Sequence, residues 1–151
     1  VMIVTIIYCS QIFSSYLVFT RVTQDFILMV QAADLPPILV LVAVLVVVLV
    51  LGFFLDQLAI MSLTLPLLFP LMMALKYDPV WFGIIVTKTV EIGLLTPPLG
   101  LNVYVTASQT GVPLKTVFRG VVPFLFAEAI VLTMLVSFPE ITLWLPNQMG
   151  L

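Results

Sequence analysis

Four stretches of this 151-residue chain carry no charged side chain at all: Val1–Thr20, Leu35–Leu55, Gln57–Leu75 and Ile92–Leu114. Uncharged, mostly apolar runs of about 18 residues or more read as membrane segments, because roughly 20 helical residues cross a hydrocarbon layer of about 30 Å. Barrel strands would alternate apolar and polar residues over about ten positions, and these runs do not. Only 8% of the residues are charged and 63% are hydrophobic. A soluble domain carries about 25% charged residues, so this chain could not cover its own surface in water. The expectation is an all-α membrane protein.

Other classes fall on composition. There is no histidine, and Cys9 is the single cysteine, which removes a zinc site and an internal disulfide framework. Ser–His and metal-hydrolysis schemes are removed with histidine. An intramembrane aspartyl enzyme would need a second acid against Asp56, and no aspartate lies in another span. Five Lys/Arg against seven Asp/Glu, thinly spread, give no basic face for nucleic acid. The chain begins on Val1 with no charged n-region ahead of its apolar run. The expectation is no signal peptide, and origin as a piece of a longer protein.

Four units follow. Residues 1–34 hold a first span and then Arg21–Asp34, where Val22, Phe26, Met29, Val30 and Ala33 recur at helical spacing opposite Arg21, Gln24 and Gln31. That pattern fits an amphipathic helix lying in the membrane interface, with an ordinary polar loop as the alternative. Residues 35–78 form two apolar arms around Gly52-Phe53-Phe54-Leu55-Asp56, the second interrupted by Pro66 and Pro70. Two full spans or a re-entrant hairpin both fit. Arm length favours the first; a tip of Gly, Phe, Phe and Leu, poor material for a loop in water, favours the second. Residues 79–110 are a span broken at Thr96-Pro97-Pro98-Leu99-Gly100, and 111–151 are a last span with a tail that includes Trp144. Lys115 and Arg119 stand without an acid in Thr110–Gly120, so the positive-inside rule puts that loop in the cytoplasm and the tail outside.

The break is the strongest local feature. A helical N–H bonds the carbonyl four residues back and proline has none. Pro97 and Pro98 therefore strip the carbonyls of Gly93 and Leu94 of their usual donors, while Thr96 adds a hydroxyl. Pro66 and Pro70 do the same to Ser62 and Pro66. A half-helix ending in free carbonyls suits a hard cation such as sodium, and one beginning near Gly100–Asn102 with free N–H groups suits an anion. Secondary transporters build midplane sites from interrupted helices of this kind; a structural kink is the alternative. Asp56 is either an intramembrane acid with a function or a turn residue. Lys88 and Glu91 share a helical face and can neutralise each other, whereas Glu128 has no opposite charge in its own helix and needs a partner elsewhere.

Gly52-Phe53-Phe54-Leu55-Asp56, Pro66-Leu67-Leu68-Phe69-Pro70 and Glu91-Ile92-Gly93-Leu94-Leu95-Thr96-Pro97-Pro98-Leu99-Gly100-Leu101-Asn102 resemble the large membrane subunit of tripartite ATP-independent periplasmic (TRAP) transporters. The likeness runs from about Val1 to Phe138 and matches the carboxy-terminal half of that subunit. It implies sodium-coupled import of an organic acid, such as a dicarboxylate or sialic acid, across the bacterial inner membrane. It also implies one inverted repeat of an elevator fold, with a re-entrant helical hairpin and a discontinuous helix moving against a scaffold. Partners implied are a small membrane subunit, a periplasmic substrate-binding protein and the remaining half of the large subunit. Carried over, Gly52, Asp56, Gly93, Leu94, Thr96 and Pro97 would hold the sodium ion, and Pro98, Gly100, Asn102 and Thr106 would approach the substrate carboxylate. No organic cofactor and no enzymatic activity are expected. The alternatives are another sodium/anion symporter of the same plan and a non-transporting membrane scaffold subunit.

Overall fold

A computed structural model describes residues 2–97 and 100–149, and these are all-helical. Eight helices follow in order: α1 Met2–Phe19, α2 Val22–Ala32, α3 Pro37–Gly52, α4 Gln57–Ala74, α5 Pro79–Leu95, α6 Leu101–Thr110, α7 Leu114–Ser137 and α8 Glu140–Met149. The boundaries have local causes. Pro37 and Pro79 open α3 and α5, where the missing N–H costs nothing. Asp78 caps α5, its Oδ1 accepting from the N–H of Val80 at 2.8 Å and of Trp81 at 3.1 Å. Arg21, Asp34 and Lys76 adopt positive φ between helices.

Pro66 and Pro70 do not interrupt the second arm as expected; α4 runs through both. Neighbouring helices α1, α3 and α5 pack along it, and helix prolines at membrane depth are tolerated where such neighbours re-satisfy the backbone. The stretch with two expected identities is the helix α2. Its half-buried positions are Thr23, Ile27 and Val30, with Ile27 and Val30 against the core. Val22 and Met29 point away from the chain, as an apolar face turned toward lipid would, while Phe26 lines a cavity with Val30, Leu39 and Leu68.

The core is built around α5. Trp81, Phe82, Ile85, Val86, Val90 and Leu94 are buried in one cluster with Leu41, Val44 and Val48 of α3 and Ile60, Leu71 and Met72 of α4. Thr89, the buried polar residue on the same helix, returns its hydroxyl to the Ile85 carbonyl at 2.8 Å. Neither α2 nor α7 buries a residue. Exposed apolar side chains cost nothing in lipid, which is as apolar as they are. By length and composition α4 and α7 are able to cross a membrane, with mean hydropathies of 1.7 and 2.0 over their best windows.

Helix directions follow from the contacts. Ile38 and Leu41 near the start of α3, Tyr77 and Trp81 near the start of α5, and Val136 near the end of α7 line one cavity of about 250 Å³. At the other end of α3, Gly52 lies against Gly93. Thus α3 runs parallel to α5, and α7 runs antiparallel to it. The register of α7 along α5 and the start of α6 is fixed at three levels. Trp81 Nε1 donates to the Leu135 carbonyl at 2.9 Å, Lys88 meets Glu128, and Gly100 meets the Phe118 ring.

Candidate site at the hairpin tip and the broken helix

The α3–α4 turn and the end of α5 meet backbone to backbone. A Cβ placed on Gly93 would stand 2.9 Å from both Gly52 Cα and the Leu49 carbonyl oxygen. One placed on Gly52 would stand 3.0 Å from Gly93 Cα and 3.3 Å from the Val90 oxygen. Only glycine at both positions permits this approach. Both residues are buried.

Electrostatics follow from direction. Being parallel, α3 and α5 bring their carboxy-terminal ends together, and each end carries the negative pole of its helix. Neither helix has a basic residue in its last turn to offset that pole. The first helix closes with the N–H of Phe53 on the Val50 carbonyl and the N–H of Phe54 and Leu55 on that of Leu51, at 3.0–3.1 Å. Asp56, half-buried, turns Oδ2 to the N–H of Leu58 at 3.2 Å and Ala59 at 3.3 Å, and so caps α4.

At the break, Thr96 is extended, with φ −85° and ψ 135°, as a residue before proline must be. Its N–H donates to the Gly93 carbonyl at 3.1 Å and its hydroxyl to the Ile92 carbonyl at 2.6 Å. The expectation of a donor-free Gly93 carbonyl is therefore corrected: a tightened last turn supplies Thr96 where Pro97 cannot donate. For Leu94 the residues three and four positions on are both proline, so neither helical donor exists. Pro98, expected at the substrate side, lies outside the described residues.

Gly100 restarts the chain in the left-handed region, φ +48°, as the N-cap of α6 without a side-chain cap. Its carbonyl accepts from Val103 at 2.8 Å and Tyr104 at 3.1 Å, while the N–H groups of Leu101 and Asn102 precede the first helical acceptor. Thr106, one turn after Asn102, gives its hydroxyl to the Asn102 carbonyl at 2.8 Å. The structure thus joins Gly52 and Gly93 directly. Asp56 is on the hairpin side of that contact, and Gly100, Asn102 and Thr106 are on the continuation of the broken helix.

Glu128 finds the partner it required. Lys88 Nζ lies 3.0 Å from Glu91 Oε2 and 3.2 Å from Glu128 Oε2, bridging α5 and α7. Two residues escaped the reading of the sequence. Trp81 bonds α7 through its indole, and Phe118 packs on Gly100 and meets Tyr104 edge to face at 6.2 Å. Neither contact has a signal in periodicity, since both join residues distant in sequence.

A helical hairpin packed against a discontinuous helix is an architecture of membrane transporters. The chain belongs to the DctM component family of tripartite ATP-independent periplasmic transporters, whose profile matches residues 1–141. It is 35% identical, over all of its length, to the C4-dicarboxylate TRAP transporter large permease protein DctM of Pseudomonas aeruginosa, of which it covers 35%. It is 36% identical over 146 residues to the sialic acid TRAP transporter permease protein SiaT of Haemophilus influenzae, covering 97% of this chain and 23% of the relative. The ectoine TRAP transporter large permease protein TeaC of Halomonas elongata is 31% identical over 133 residues, 88% of this chain and 31% of the relative. The chain spans no more than about a third of the length of these relatives. The family is one of transporters, not of enzymes.

Proposed function

We propose that this chain forms one half of the translocation site of a TRAP large permease, working in the bacterial inner membrane as a sodium-coupled importer of an organic acid. The observation that carries the reading is the meeting of two uncompensated helix carboxy-termini, α3 and α5, through Gly52 and Gly93. Their joint negative potential and the carbonyl oxygens of Gly93, Leu94 and the α3 end suit a sodium ion, with the Thr96 hydroxyl, the Pro97 turn and the Asp56 carboxylate alongside. Across the break, the N–H groups of Leu101 and Asn102, with the Asn102 and Thr106 side chains near, suit a carboxylate. Relatives named for C4-dicarboxylates and sialic acid favour an acidic substrate.

A re-entrant hairpin is the topology we favour for α3 and α4. The α5–α7 register puts the level of Gly93 close to Pro123, well inside the 24 residues of α7. The tip therefore stops part-way along a helix long enough to span the bilayer. Tip backbone at that depth is allowed because it faces protein. The end where α6 passes into α7 is cytoplasmic, with Lys115 and Arg119 in the first turns of α7 rather than in a loop, and α8 is external, which leaves the outer end for a periplasmic substrate-binding protein. A small membrane subunit and the rest of the large subunit supply the scaffold against which this unit moves.

Replacing Pro97 and Pro98 by alanine in the full complex tests the site. The helix would then close its own hydrogen bonds, so the variant inserts and assembles but loses sodium affinity and uptake together, by about tenfold or more. Uptake with unchanged sodium dependence would reduce the break to a kink and sink the proposal.

A further inference from the structure

We infer that Phe118 of α7 is the positioning residue of the second half-helix, the group that sets where α6 restarts; what this does to substrate rests on the proposed function above. No backbone ladder joins α5 to α6, because Pro97 and Pro98 cannot donate. Nor does a side chain cap the restart at Gly100. The closest contact comes from the side, nearer than the Leu95 carbonyl oxygen of α5 at 3.4 Å. A Cβ on Gly100 would stand 3.0 Å from Phe118 Cε1 and 3.2 Å from Cζ. The ring therefore lies flush on the one residue whose φ of +48° turns the chain into α6. One turn on, Tyr104 meets the same ring edge to face, at 6.2 Å and 86°. An aromatic held at both the turn and the first turn of α6 fixes that helix along its axis and about it. The N–H groups of Leu101 and Asn102 are aimed by the same contact. The α3–α5 seam at Gly52 and Gly93 has no part in it.

The division between the two seams is what an experiment reads. In the complete complex reconstituted in liposomes, with radiolabelled succinate as the C4-dicarboxylate probe, Phe118→Ala should raise half-saturating succinate about tenfold. Half-saturating sodium should stay within about twofold, and Phe118→Leu should recover part of the loss. Amide exchange of the same complexes in nanodiscs is the second measurement. The Val103 and Tyr104 amides, bonded to the Gly100 carbonyl, should exchange faster in Phe118→Ala while Val90 in α5 stays protected. Should the alanine variant fail to assemble, the leucine variant carries both measurements. Unchanged exchange at Val103 and Tyr104 overturns the inference, as do equal rises in both half-saturations. If wild-type uptake ignores sodium, the proposed coupling is what fails; if succinate is not taken up, the acid is a different one; in both cases the exchange result still decides the role of Phe118.

Discussion

Helix α5 is held on its two sides by different physics. Toward α3 and α4 it buries Phe82, Val86 and Val90 and ends in a glycine-on-glycine contact. Toward α7, whose Leu132, Leu135 and Val136 pack half-buried against the same core, it is tied at intervals: one indole hydrogen bond and one ammonium between two carboxylates, with one ring on Gly100 beyond its end. In a membrane apolar burial gives little attraction between helices, because lipid is an equally good apolar neighbour. Close backbone approach and polar ties are what remain, and this chain uses one on each side. The hairpin seam depends on shape, and the α7 seam on a few groups.

The largest effect is expected where shape decides. Gly93→Ala puts a Cβ 2.9 Å from Gly52 Cα and from the Leu49 oxygen. Both are backbone, so relief requires moving a helix. We expect a loss of about 3 kcal/mol, at the upper end of overpacking costs, seen as a drop in the unfolding temperature of the purified complex. Gly83→Ala, on the same helix, meets nothing within 4 Å and should be neutral or gain up to about 1 kcal/mol from helix propensity. Equal losses for the two would remove the Gly52–Gly93 contact as the cause.

The tied side should yield less. Lys88→Met leaves Glu91 and Glu128 facing each other without their shared cation, the three side chains being 32%, 48% and 28% exposed. An orphaned charge in a poorly solvated site is the costly case, and partial exposure reduces it; we expect about 2 kcal/mol. Adding Glu128→Gln to Lys88→Met should return part of that loss, because one uncompensated charge is removed. A double mutant no better than Lys88→Met would mean that the bridge to α7 contributes nothing, and the comparison would rest on Trp81 and Phe118 alone.

Legibility in the sequence divides along the same line. Three of the charge-free runs coincide with α1, α3 and α4, because hydropathy is set within a short stretch of chain. The break between Leu95 and Leu101 was visible for the same reason, as was the Lys88–Glu91 pair. The meeting of the hairpin tip with the broken helix, at Gly52 and Gly93, was expected only through family resemblance, since no local rule brings residues 41 positions apart into contact. Glu128 announced that it needed a partner and could not name Lys88. The path of α4 through Pro66 and Pro70 was hidden because packing by neighbouring helices outweighs the local cost of proline. Two hydrogen bonds from Thr96, short-range but set by its backbone and rotamer, also went unread.

The smallest effect concerns the far end, where α4 turns into α5. Lys76 adopts φ +64°, and its N–H donates to the Met73 carbonyl while that of Tyr77 reaches Met72, both at 3.0 Å. This is the helix-ending motif that glycine ordinarily serves, and a residue with a Cβ adopts it at a cost of about 1 kcal/mol. Lys76→Gly removes that cost, but it also frees the unfolded chain, which takes back roughly half. The net expectation is a gain of about 0.5 kcal/mol, measured as a small rise in unfolding temperature. Lys76 also lines the cavity with Tyr77 and Trp81, where burial pushes the Tyr77 phenol above its ordinary pKa. A loss instead of a gain would mean that the lysine stem holds this cavity closed over the Trp81–Leu135 bond. The α7 seam would then depend on packing as well as on its polar ties, and the contrast between the two sides of α5 would narrow.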